Sequence, residues 1–317
     1  MSVMSVDTGY WTGSITYDPP GPFAPVNINV GYGPDANGIA WIWEKLDGWD
    51  SPDVTGQIVQ RGSDHGGWAA GQWYAARSMT WTLRASAPTQ ALRDTARALL
   101  QQCIPVNDLA LFVYNEPIPK QMWVRRSGRI QETYDNLTEV EFTCVMVAPD
   151  PRKYATVLKN WSSTSLVASA YFVIGPVGGE NTVPFAMPNA TAPATTANSN
   201  LGNFETRPVI TITGPLHAPG IMQSSTGMTV SWSQLNLAVG DILLIDMDSR
   251  MAWLNPGSVT VDVPLQPQQP LTGYVAADIW SAWFTMQPGL DAIQLLSGAS
   301  IVTDTGVMVV RSRDAWI

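Results

Sequence analysis

A chain of 317 residues that is 45% hydrophobic and 14% charged is long enough for two domains, each with a core of its own. Its net charge of −9, without a Lys/Arg run, argues against binding nucleic acid through a phosphate-neutralising patch. No apolar run nears the roughly 20 residues of a membrane span, Met1–Thr8 lack the basic and apolar regions of a secretory signal, and two cysteines are too few for a disulfide framework; a protein made and used in a reducing cytoplasm, without membrane insertion, is expected.

Residues 1–76 are rich in Gly, Pro and aromatic residues. Short strands are expected at Tyr10–Tyr17 and Val26–Tyr32, split by Asp18-Pro19-Pro20-Gly21-Pro22. Trp41, Trp43, Trp49, Trp68 and Trp73 then crowd a segment of turn signals through which no helical or strand face can be drawn. These rings either fill gaps under long loops or anchor neighbouring subunits, since Trp is favoured at interface centres.

Arg77–Ala85 alternates cleanly, with Met79, Trp81 and Leu83 on the inner face. A helix is expected next, with Ser86 as N-cap, Pro88 in the first turn, a stripe of Leu92, Ala96, Leu99 and Cys103, and Pro105 as the stop. Strands follow at Leu109–Tyr114, Gln121–Arg126 and Leu137–Val147, the last with Val140, Phe142, Cys144 and Met146 inside. Both cysteines thus sit on apolar faces and read as buried thiols.

Ala148-Pro149-Asp150-Pro151-Arg152 marks a break, which sets domains at 1–153 and 154–317. A strand-like Ser165–Ile174 leads to a polar run, Pro188–Asn200, which reads as a long loop. Val209–Thr213 is a β-branched strand that Gly214-Pro215 stops. Further short strands are expected at Met228–Trp232, Asp241–Met247, Met251–Leu254, Val259–Val263, Ala292–Leu296 and Val307–Arg313. Many short strands with almost no helix indicate a β-sandwich, and Ile242–Ile245, apolar on both faces, is its expected centre. The fold class is therefore mainly β: an α+β N-terminal barrel or sandwich with one helix, then an all-β half.

No chemistry stands out. With two histidines and no Cys/His cluster, a zinc site has nothing to be built from. Ser63, Asp64 and His65 are adjacent in sequence, which is not triad geometry, and His217 reads as a loop residue. Asp246 and Asp248 suit a solvated turn, because Ser249, Arg250 and Met251 do not continue a calcium loop. No phosphate-binding glycine motif appears, so no cofactor and no catalytic residue are assigned. Asn136, Asn160 and Asn189 open glycosylation-type triplets that carry no weight without export.

Several stretches together resemble the distal tail protein of long-tailed, non-contractile phages, the siphophages, and in particular minor tail proteins of actinobacterial phages. They are His65-Gly66-Gly67 leading to Tyr74-Ala75-Ala76-Arg77, the break at 148–152, Gly202–Pro215, Gly240–Asp246 and Arg311–Ile317. The resemblance implies an N-terminal ring-forming domain, usually hexameric, and an outward galectin-like C-terminal sandwich. It implies as partners other copies of the chain, the tail tube protein, the tail-tip hub protein and the tape-measure protein. The expected place is the virion tail tip, assembled in the host cytoplasm, with DNA passing but not specifically bound. The long Trp-rich segment 41–73 departs from that pattern, and the His, Asn, Arg and Trp pattern of a galectin sugar site is not visible.

Three functions follow. The first is a structural ring joining tail tube to adsorption apparatus. The second is a carbohydrate-binding module using Trp253, Trp280 or Trp283 as stacking platforms. The third, an envelope glycosidase, lacks a singled-out carboxylate pair.

Overall fold

The computed structural model describes residues 12–20, 23–163, 194–257, 261–265, 271–298 and 304–317. The expected strand Ser165–Ile174 lies outside them, as do Tyr10, Val259 and Thr260. The described residues are mainly strand, with one helix. The chain divides into two compact units, Met1–Thr156 with Trp316–Ile317, and Val157–Ala315.

The first unit opens with β1 (Gly13–Tyr17), β2 (Val26–Val30) and β3 (Ala40–Asp47). A ribbon follows, made of β4 (Val54–Thr55), β5 (Ile58–Gln60), β6 (Gly67–Ala69) and β7 (Trp73–Tyr74). Then come β8 (Arg77–Ser86), α1 (Gln90–Cys103), β9 (Ala110–Tyr114), β10 (Lys120–Arg126), β11 (Gln131–Tyr134), β12 (Glu139–Ala148) and β13 (Lys153–Ala155). Its main sheet runs β2-β1-β9-β10-β12-β8-β3. Strand β10 joins two halves: Lys120–Val124 pair with β9, and Arg125 and Arg126 pair with β12. There the sheet folds over, so Trp81 of β8 meets Phe112 of β9 edge-on at 5.3 Å.

Of the barrel and sandwich forms expected for this unit, the closed barrel is not formed among the described residues. Its outer strands β2 and β3 share no ladder. Beyond β2 the two are joined by isolated contacts, Gly31 N–H to the Trp41 carbonyl at 2.9 Å and a bridge between Pro34 and Ala40. Helix α1 packs on β1, β2 and β8 instead, burying Ala96, Leu100 and Cys103. Thr89, not Ser86, is its N-cap, accepting from Leu92 N–H at 3.3 Å. Ser86 is spent as the last residue of β8, paired with Glu139 and Ala40. Strand β3 was not visible in the sequence because a bulge between Trp43 and Lys45 breaks its alternation after two tryptophans.

The second unit contains β14 (Lys159–Ser162), β15 (Ala194–Asn200), β16 (Val209–Thr213), β17 (Leu216–His217), β18 (Pro219–Gln223), β19 (Thr229–Ser231) and β20 (Asn236–Leu237). It continues through β21 (Ile242–Asp246), β22 (Met251–Leu254), β23 (Gly289–Ser297) and β24 (Val307–Ser312); the final β25 (Ala315–Trp316) pairs with β13. Two antiparallel sheets, β14-β24-β16-β21-β22 and β15-β23-β18-β19, enclose one core. Ile210, Ile212, Leu243 and Ile245 come from one sheet; Ile221, Val230, Ile293 and Leu295 come from the other. This is the two-layer sandwich arrangement. Strand β16 lies in the middle of its sheet, and the start of its outer face is covered too, where Val209 joins Leu244 and Trp253 in a separate small cluster.

Two expectations fail here. The end of the polar run 188–200 is a strand, β15, paired along its length with β23. Its inward residues are small or polar: Thr196, Asn198 and Asn200 are buried. Asn200 is satisfied by local bonds, donating to Phe204 O at 2.7 Å and accepting from Gly202 N–H at 3.0 Å and Ala315 N–H at 3.2 Å. Hydrophobic periodicity cannot reveal such a strand. Conversely, Val261–Val263 adopt no strand, and Pro264 has no N–H to continue one.

Candidate functional site

The most exposed apolar feature of the first unit is the ribbon 53–75. Val54 and Thr55 pair with Tyr74 and Trp73, and Ile58–Gln60 pair with Gly67–Ala69. Three further bonds extend the ladder: Ala75 N–H to Asp53 O at 2.8 Å, Ala70 N–H to Gln57 O at 3.1 Å and Arg61 N–H to Gly66 O at 3.2 Å. The tip turns at Gly66, whose φ of +87° suits a residue without Cβ. Val54, Ile58 and Val59 favour extended backbone, but no second layer covers them. They are exposed, as are Trp68 at 63% and Trp73 at 71%. Arg61 lies over the Trp68 ring at 4.5 Å and pairs with Asp64 at 3.6 Å. His65 sits at this tip with its N–H on the Asp64 carboxylate, so Ser63, Asp64 and His65 make a turn and not a triad.

The base of this ribbon, an exposed arm of the first unit, is held by two buried cations. Arg77 donates to Trp49 O at 2.9 Å, Gly48 O at 3.2 Å and Pro151 O at 3.0 Å. Lys153 donates to Trp49 O at 2.9 Å and Asp50 O at 3.2 Å. Burial first, then the Arg77 and Lys120 charges, push the Lys153 ammonium down to about 8. Burial works to raise the Glu116 carboxyl, but hydrogen bonds from Lys120 and the Trp49 indole outweigh it and leave it below the usual carboxylate value. Gly48 is required at this bend: its φ is +82°, and a Cβ would strike the Ser78 carbonyl.

The five tryptophans of segment 41–73 therefore divide. Trp41, Trp43 and Trp49 are 2%, 7% and 8% exposed and belong to the core. Trp43 stacks on Tyr114 at 5.1 Å, and Trp49 meets the same ring edge-on at 5.3 Å. Rings so enclosed offer no face to a neighbour, which corrects their candidacy as interface anchors. Only Trp68 and Trp73 face outward on the arm.

The three candidate platforms divide too. Trp253 is 8% exposed, in the small cluster with Val209 and Leu244, and is corrected from platform to core. Trp283 is half-buried, edge-on to Trp232 at 6.5 Å. Trp280 is 92% exposed beside Ile279 at 94%. Their turn is pinned: Asp278 accepts from Ser231 Oγ at 2.6 Å and from Ser233 N–H and Oγ, both at 2.9 Å. Those bonds, led by Ser231, hold its carboxyl below the usual range.

The other acids and histidine singled out in the sequence have structural partners. His217 is in β17 and not a loop; its Nδ1 meets the buried Asp304 carboxylate at 2.6 Å. Ser297 donates its hydroxyl to that carboxylate and not to the ring, so the three are not arranged for nucleophilic attack. Asp246 caps the β21–β22 turn, accepting from Asp248 N–H at 3.0 Å, and Asp248 pairs with Arg207. Among the described residues no group of three or more His, Cys, Asp or Glu is placed to hold a metal ion. Cys103 and Cys144 are free and buried, and burial pushes both thiols up to about 12.

No family model matches the chain, and no curated protein matches it. Solved structures do. The Dit protein (gp 19.1) of phage SPP1, described as a paradigm of the hub adsorption apparatus in phages infecting Gram-positive hosts, is similar with a TM-score of 0.55 at 12% identity, over 87% of this chain and 94% of that one. A chain of the phage P2 baseplate in its activated conformation with Ca is similar with a TM-score of 0.52 at 10% identity, over 95% of this chain and 97% of that one. The same baseplate with Sr gives 0.52 at 10%, over 96% and 98%. At these identities the likeness establishes the fold, and it extends through both units.

Proposed function

We propose that copies of this chain assemble through the first unit into a ring, hexameric in the simplest reading, at the distal end of a phage tail. The ring joins the tail tube to the tip hub, with the tape-measure protein as a further neighbour, in the virion and after assembly in the host cytoplasm. The second unit is the galectin-like sandwich that projects outward. The observation that carries this reading is the arm 53–75. A two-stranded ribbon with no covering layer is marginal in water, yet this one displays Val54, Ile58, Val59, Trp68 and Trp73 to solvent. Such a surface calls for a protein partner. The fold shared with the SPP1 Dit protein and the P2 baseplate chain supports a tail-tip role, and the chain's net charge of −9 suits a lumen that DNA passes without sticking.

Sedimentation velocity on the wild type and on a Trp68→Ser/Trp73→Ser variant tests the reading. Anchors of this kind cost about 2 kcal/mol or more each on truncation, so the variant is expected to be largely dissociated at a concentration where the wild type is assembled. Identical assembly would remove the arm from the contact.

A second reading, binding of host-surface carbohydrate, is favoured by one observation: Trp280 stands 92% exposed on a pinned turn. A glycan array probed with the full chain and with Trp280→Ala tests it. Signal lost in the variant supports it, and a blank array sinks it.

A further inference from the structure

The end of β10 and the turn after it carry Arg125, Arg126 and Arg129 within five residues. The other nine Lys and Arg between residues 12 and 156 each reach an acid or a backbone carbonyl. These three make no ion pair and no side-chain hydrogen bond to any described residue. In a chain of net charge −9, three unpaired guanidiniums within five residues are the exception.

Arg126 and Arg129 line an open cleft of about 410 Å³, together with Gln101, Val106, Ile130 and the Ser127-Gly128 turn. No acidic residue lines it. Its floor is fixed, because Arg126 N–H donates to Pro105 O at 2.9 Å and Ser127 N–H to Val145 O at 2.9 Å. Val106 is 52% exposed beside the cations, which gives the cleft an apolar side.

We propose that this cleft binds an acidic peptide segment of a partner protein. Its carboxylates pair with Arg126 and Arg129, whose planar forks suit bidentate carboxylate contact. The Gln101 amide offers a further donor, and an apolar side chain of the segment lies on Val106 and Ile130. A nucleic acid has the right sign of charge but the wrong scale. Duplex DNA is too wide for such a cleft, two or three arginines neutralise only as many phosphates, and a long polyanion meets the repulsion of the whole acidic chain. A short segment meets only the local field, since charges beyond about 8 Å are screened at physiological salt. This surface is separate from the arm and does not depend on ring formation.

Fluorescence anisotropy on the full chain tests it, with a fluorescein-labelled Glu-Glu-Leu-Glu-Glu peptide at physiological salt, where the screening holds. The comparison probes are a Lys-Lys-Leu-Lys-Lys peptide and a 12-nucleotide single strand. The acidic peptide is expected to bind and to lose at least tenfold in affinity in Arg126→Gln/Arg129→Gln. Arg125→Gln, the same charge change as Arg129→Gln but on β10 outside the cleft, is expected to leave binding unchanged. Should the double variant fail to fold, Arg129→Gln on the exposed turn is expected to lose at least threefold. The proposal is overturned by no binding of the acidic peptide, by equal binding to wild type and Arg129→Gln, by an Arg125→Gln loss as large as the cleft variants', or by tighter binding of the single strand.

Discussion

At the scale of the residue, the arm's base depends on the unusual state of Lys153. An unfolded lysine holds its proton to about pH 10.5, whereas folded Lys153 releases it near 8. Between these values the unfolded chain binds more protons, so this group makes stability rise with pH; below pH 8 both states are protonated and the slope vanishes. Denaturant melts of wild type and Lys153→Met across pH 6–11 are expected to show a difference that is flat to about pH 8 and then moves in the wild type's favour. A flat difference throughout would mean that Lys153 titrates normally. The tryptophans separate the same way. Trp43→Ala is expected to cost about 3–5 kcal/mol of folding stability, while Trp68→Ala stays within about 0.5 kcal/mol for the isolated chain. Composition made the five tryptophans conspicuous but could not sort them, because only the bulge after Trp43 and the two-cation clasp around Trp49 decide which rings are enclosed.

At the scale of the element, strands with apolar alternation were legible and polar or interrupted ones were not. Strands β8 and β12 fall within a residue or two of their expected bounds, with Met79, Trp81, Val140 and Phe142 inside. Strand β11 pairs with β12 but has no apolar face, and β15 buries Thr196 and Asn198, so hydrophobic pattern identifies neither. The arm was hidden for a third reason. Its ladders are two and three residues long, with Gly56 and Gly71 between them, and read as turns. Because the arm contributes nothing to the core, excising residues 54–74 and joining Asp53 to Ala75 by a short Gly-Ser link is expected to leave the melting temperature within a few degrees. The hydrogen bond from Ala75 to Asp53 already brings those ends together. A collapse of folding on excision would show the arm to be structural.

At the scale of the molecule, the fold shared through both units with the SPP1 Dit protein and the P2 baseplate chain agrees with the mainly-β architecture that the pattern of strands indicated. Gly202–Pro215 contains β16, the middle strand of its five-stranded sheet. The function of such a framework resides in its exposed surfaces, and sequence alone marked those only as an excess of tryptophan. Mass photometry of the purified full chain, from nanomolar dilution upward and beside the arm-excised variant, tests whether copies assemble through the arm. A closed species of six chain masses that disappears on excision is the expected result. A monomer at every concentration, or a hexamer that survives without residues 54–74, would rule out assembly through the arm.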